Sequence, residues 1–236
     1  MKKTLSIALC GLLGAATLIA ADDAKASVKA AAKKLADKGN YSWTTTSKMA
    51  GGPGGGGGRF GGGATEGQAA DGSVYLKSTF GDRTMHTAAK GEKVAIKGEE
   101  EWELADSEGQ GPGQFAARRM RNFKAPAAEA GDLADKTKAL KSADGVISGD
   151  LTEEGVKGFL SFGRRPNADA PTPKDAKGTV KFWVKDGELT KYEYNVQGKI
   201  TGREDNEITI DRTTTVEIKD AGKTKLAIPD EAKKLL

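Results

Sequence analysis

The chain of 236 residues carries 37 Lys and Arg against 33 Asp and Glu, with one His and one Cys. So even a balance excludes a protein built to grip polyanions, and nucleic acid is not expected as a partner. A single thiol excludes a disulfide framework, and a single imidazole excludes the usual His and Cys sets that hold zinc.

Met1, Lys2 and Lys3 make a short positive start, and Leu5–Ala21 then runs uncharged until Asp22 and Asp23. That is the pattern of a cleavable export signal, assigned to residues 1–21 with cleavage after Ala20 or Ala21. The run of 17 residues is short for a membrane span and has no basic stop-transfer flank. The mature chain is therefore expected in the periplasm or outside the cell, with no transmembrane span and at most peripheral association with the envelope. Cys10 follows Leu9 and sits inside the apolar run, whereas a lipid-modified cysteine would end it, so lipidation is not expected. Cleavage also removes Lys2 and Lys3, which leaves a formal excess of two basic residues.

Residues 22–236 are expected to fold as one domain. Val28, Ala31, Ala32 and Leu35 recur at helical spacing, and Gly39-Asn40 stops that helix. Tyr41–Met49 reads as a strand with Tyr41, Trp43 and Thr45 on one face. Residues 51–63 hold ten glycines in thirteen positions. Such a segment cannot offset its ordering entropy by burial, and it reads as a flexible loop between strands or a flap over a cavity mouth. Short strands follow at regular spacing: Thr65–Ala69, Ser73–Phe80, Arg83–Ala89, Lys93–Lys97 and a last one with Trp102 and Leu104. Turns this closely spaced indicate an antiparallel meander.

The middle reads as helical. Gln114–Phe123 places Phe115, Met120 and Phe123 near one side. Pro126 opens a second helix through Leu133 to about Leu140. A brief strand lies near Val146 and Ile147, and Asp150 with Glu153 offers a capping box for a third helix bearing Val156, Phe159 and Leu160. Gly178–Lys185 and Glu188–Gln197 form a hairpin. A two-residue Asp186-Gly187 turn would pair Phe182 with Lys191, whereas a three-residue loop from Lys185 to Gly187 pairs Phe182 with Thr190 and Val180 with Tyr192. The second register puts Val180, Phe182, Val184, Tyr192, Tyr194 and Val196 on one face, with Trp183 and Leu189 meeting on the other, and is preferred. Asn206–Lys219 is a long strand with Ile208, Ile210, Val216 and Ile218 alternating inward. Thr224–Ile228 reads as a last strand, and Pro229 starts a short terminal helix.

The closing elements are a strand pair around Asp186-Gly187 with Lys191-Tyr192, the long strand, and Ile228, Pro229 and Ala232. They resemble the LolA-like superfamily, the periplasmic lipoprotein carriers and mycobacterial lipid-binding lipoproteins. The resemblance rests on motifs over residues 178–236 and on element order over 28–177. The chain is also similar to a group of secreted bacterial proteins sharing the segments YSWTTT and LTEEG. The superfamily resemblance implies an α+β fold: a curved antiparallel sheet, an incomplete barrel, with helices packed on the concave face. It further implies a non-catalytic protein without a cofactor, whose apolar cavity holds a lipid, an acyl chain or a lipidated protein. Trp43, Phe80, Trp102, Phe115, Met120, Phe159, Phe182, Tyr192, Tyr194, Ile208 and Ile210 are the candidates to line it. The alternative is an envelope structural or interaction protein with a filled core.

Arg118, Arg119 and Arg121, with Arg164 and Arg165, are the densest arginine clusters and the candidates to hold an anionic head group. His86 has no nucleophile elbow to serve and reads as an ordinary strand residue. Glu99, Glu100 and Glu101 read as a solvated turn, because three adjacent acids cannot all face one calcium ion. No carboxylate pair is singled out for hydrolysis.

Overall fold

A computed structural model describes residues 21–50, 63–98, 101–105, 112–161, 172–201 and 206–236. The export signal (but for Ala21), almost all of the glycine segment, Glu99, Glu100, Arg164 and Arg165 lie outside the described residues.

The strands are β1 (Asn40–Met49), β2 (Ala64–Ala70), β3 (Ser73–Phe80), β4 (Arg83–Lys90), β5 (Lys93–Lys97) and β6 (Trp102–Leu104), then β7 (Thr137–Ala143), β8 (Val146–Leu151), β9 (Lys174–Lys185), β10 (Glu188–Thr201) and β11 (Glu207–Lys219). The helices are α1 (Ala21–Asp37), α2 (Pro112–Arg121), α3 (Pro126–Asp135), α4 (Glu153–Leu160) and α5 (Asp230–Lys233). All 11 strands join one curved sheet in the order β6-β5-β4-β3-β2-β1-β11-β10-β9-β8-β7, and every pairing is antiparallel. Two meanders thus meet where the first strand pairs with the last. The outer strands β6 and β7 do not pair, so the barrel is incomplete.

Turn chemistry sets this regularity. Asp71-Gly72, Asp144-Gly145 and Asp186-Gly187 each join neighbouring strands with positive φ at both residues. That is the two-residue turn whose twist matches antiparallel strands, and Asp and Gly tolerate it best.

The β9–β10 hairpin departs from expectation in an instructive way. Lys185 pairs with Glu188, so the turn holds two residues, and the slip occurs beyond it, between Leu189 and Lys191. Phe182 therefore pairs with Tyr192, and Val180 with Tyr194. The bulge at Thr190 lets Leu189 and Tyr192, of opposite parity, both face the core. Trp183 is left on the other face, under the ammonium of Lys191 at 4.8 Å from its ring centre.

Three further boundaries are corrected. The second helix does not reach Leu140: it stops at Asp135, where the Thr137 hydroxyl donates to the Ala134 carbonyl at 2.7 Å, and Thr137–Ala143 is a strand. Thr152, not Asp150, caps α4 by accepting from the Gly155 amide at 3.1 Å, because Leu151 still belongs to β8. Thr224–Ile228 forms no strand, since both edges of β11 are taken by β1 and β10. Its Ala227 amide donates instead to the Gln68 side chain at 2.8 Å.

The core lies on one face of the sheet. The stripe of α1 (Ala24, Val28, Ala31, Ala32 and Leu35) packs there with Ala130 and Leu133 of α3. The helix α4 comes close to β9 and β10 because these strands carry glycine beneath it. A Cβ on Gly198 would fall 2.5 Å from the Leu160 side chain, and one on Gly178 3.1 Å from Val156.

Candidate functional site

The register places Val180, Phe182, Tyr192, Tyr194, Val196 and Val216 on the helix-covered face. Phe182 and Tyr192 are 0% exposed. Phe159 of α4 meets the Tyr194 ring at 5.1 Å between centres. Trp43 is buried flat over Gly67, where a Cβ would come within 2.1 Å of the indole. On its other side Trp43 stacks on Phe123 at 6.2 Å, next to half-buried Met120. Trp43, Met120, Phe159, Phe182, Tyr192 and Tyr194 therefore share one apolar interior, with Ile210 half-buried against it.

The remaining lining candidates lie elsewhere. Trp102 pairs with Lys97 and, with Ala95 and Ala88, belongs to the opposite face. Phe115 is 61% exposed, because Ala116 and Ala117 take the inward side of α2. Ile208 keeps the inward parity, paired with Ile200, but is 39% exposed at the far end of the hairpin, beyond the turn where Leu160 sits over Gly198. Phe80 ends β3 opposite Arg83, and its side chain lies outside the described set.

One group escaped the sequence reading. Glu129 of α3 points its carboxylate at the sheet, where the hydroxyls of Tyr192 and Tyr194 donate to it, the latter at 3.3 Å. Burial raises its pKa, against the lowering effect of the two tyrosine bonds and of Lys136 and Lys124. Burial, and then the nearby carboxylate, pushes Tyr192 well above its ordinary value and raises Tyr194 too. A signal was present: Glu129 stands four residues before the inward Leu133, and two inward tyrosines need a partner for their hydroxyls.

The three arginines of α2 separate. Arg118 and Arg121 are exposed, while Arg119 is half-buried, its pKa lowered by that burial. Arg119 has no carboxylate partner among the described residues. The same residues hold no group of three or more His, Cys, Asp or Glu that could ligate a metal. No helix among them is long and apolar enough to cross a membrane.

Two depressions, of ≈ 580 Å³ and ≈ 490 Å³, open on the face turned away from the core helices. The smaller is polar, floored by Thr46, Thr213 and Thr215 among Lys191, Glu193 and Glu217.

No protein-family model matches the chain, and no curated protein matches it. Among solved structures, the chain is similar to the Mycobacterium tuberculosis lipoprotein LppX at 11% identity and a TM-score of 0.42, over 88% of this chain and 99% of that one. It is likewise similar to LprF from Mycobacterium bovis at 9% identity and a TM-score of 0.42, over 90% of this chain and 99% of that one.

Proposed function

We propose that the protein is an exported, non-catalytic binding protein that holds a lipid, an acyl chain or a lipidated protein against the helix-covered face of the sheet. One observation carries this reading. The apolar row of that face continues past the sealed core, through half-buried Ile200 and Ile210 to Ile208. Elsewhere on the same face α2 adds half-buried Met120 and exposed Phe115, with half-buried Phe123 just past its end. Apolar surface left open at the margins of a packed core is what a greasy ligand can complete.

Arg119 supplies the polar end in this reading. A half-buried guanidinium without a carboxylate partner carries an unrepaid desolvation cost, and an anionic head group would repay it. The exposed Arg118 and Arg121 contribute general attraction only.

Native mass spectrometry of protein taken from its own envelope fraction tests the proposal. The expected result is an adduct of lipid mass that disappears on solvent extraction and falls several-fold in Arg119→Ala. A single unliganded mass, with no lipid in the extract, would sink it. That outcome favours the second reading, an envelope interaction protein with a filled core, which the full burial of Phe182, Tyr192 and Val196 supports.

A further inference from the structure

The larger depression belongs to neither reading. It lies on the opposite face, where Tyr75, His86, Lys97, Glu101 and Trp102 of the β3–β6 region meet Pro229 and Glu231 of the C-terminal segment. Its volume of ≈ 580 Å³ is that of a small-ligand site.

The floor is aromatic. Tyr75 and His86 lie within 22° of parallel at 6.0 Å between centres. The Tyr75 hydroxyl is bonded to His86 Nδ1 at 2.8 Å, so the two rings adjoin through their polar edges. Trp102 stands 6.5 Å from each of them, tilted 43° to Tyr75 and 64° to His86. All three rings remain half-exposed after the C-terminal segment has docked. Covering for that segment is provided by smaller residues: Ile228 and Ala232 bury themselves against Ala88, and the Ala227 amide is fixed to Gln68. The wall carrying Pro229 and Glu231 is thereby held in place before any ligand arrives.

Around this floor stand polar groups of both signs. Glu101 and Glu231 accept hydrogen bonds, and Lys97 donates them. Burial, then the charges of Lys97 and Lys77, lowers the His86 pKa and keeps the ring neutral near neutral pH. Nδ1 is engaged by Tyr75, and the second ring nitrogen has no protein partner among the described residues.

We infer that this pocket is a saccharide-binding site that takes a β-linked pyranose chain, one sugar face lying on Tyr75 and His86 with the tilted Trp102 ring beside them. A pyranose with equatorial substituents presents an apolar C–H face, which lies on aromatic rings, and a rim of hydroxyls. The rim needs mixed donors and acceptors at the edge of the floor, as Lys97, Glu101 and Glu231 provide. A quaternary ammonium needs several rings that face one another across a box, whereas Tyr75 and His86 are near parallel and joined by a hydrogen bond, and Trp102 alone is tilted against them. A lipid tail needs an apolar rim, whereas this one is charged.

Titration of the full chain with cellotriose and with chitotriose, followed by NMR at the Trp102 indole N–H, tests the assignment. The expected result is saturable binding with a Kd of about 1 mM or tighter for at least one of the two. Trp102→Ala should weaken it at least about tenfold, the loss of one main contact. Trp102→Phe should retain part of the affinity, and Glu231→Gln should weaken it several-fold while thermal melting stays unchanged. The last two variants decide the matter if Trp102→Ala unfolds. The assignment is overturned if neither trisaccharide shifts that resonance, if Glu231→Gln and Trp102→Phe bind as the parent does, or if tetramethylammonium shifts it where both sugars fail.

Discussion

The two faces of this sheet are covered by different means. One receives α1, α3 and α4 and closes over Phe182, Tyr192 and Val196. The other receives the segment after β11 and the one-turn helix α5, which seal the small residue Ala88 and leave Tyr75, His86 and Trp102 half-open. Helices with apolar stripes hide large side chains, whereas a single strap hides one row of small ones. Stability is therefore expected to reside on the first face, and accessible aromatic surface on the second.

Truncations on each side measure that difference. Phe182→Ala should cost about 3–5 kcal/mol in urea unfolding, since a fully buried ring leaves a cavity that three helices cannot collapse around. Ile228→Ala should cost about 2 kcal/mol, at the low end for an aliphatic truncation, because a strap can shift to refill the space. Equal losses from the two variants would break the contrast.

A pH series sharpens it. Glu129 is an acid with a folded-state pKa above the ordinary 4.5. The stability linked to its protonated form is fully present below pH 4.5 and is lost as pH rises through the folded-state value. Glu129→Gln removes that ionisation. The melting temperature of the parent should therefore fall relative to the variant as pH rises from 4.5 toward neutrality, and parallel curves would refute the buried carboxylate. The smallest effect belongs to the surface. Lys29 and Lys25 reach Asp135 at 3.0 Å and 3.4 Å in solvent. Lys29→Ala should cost less than about 1 kcal/mol by the same urea measurement.

Much of the fold is legible residue by residue. The alternation of Ile208, Ile210, Val216 and Ile218 identifies β11, and the hairpin between Ala69 and Ser73 forms where expected. The β9–β10 slip was legible as a need, because Phe182 and Tyr192 could share a face only if one residue were extra. Its position at Thr190 was not, because both placements satisfy the same parity. The end of α3 misled for a related reason: Thr137–Ala143 has weak preferences of its own and becomes a strand because β8 lies beside it. Among site candidates, Trp102 and Trp43 look alike as strand aromatics, yet the registers put them on opposite faces.

Local chemistry is written in the chain itself: which stretches alternate, where a turn must take a left-handed backbone, and which helix stripe is greasy. These depend on neighbours within a few residues, and the sequence states them directly. Which face Trp102 occupies, what Glu129 meets and what lies over Tyr75 depend on strands and segments far apart in the chain. Pairing of β1 with β11 brings those together, and only the folded molecule decides them, because a register is a property of two strands at once.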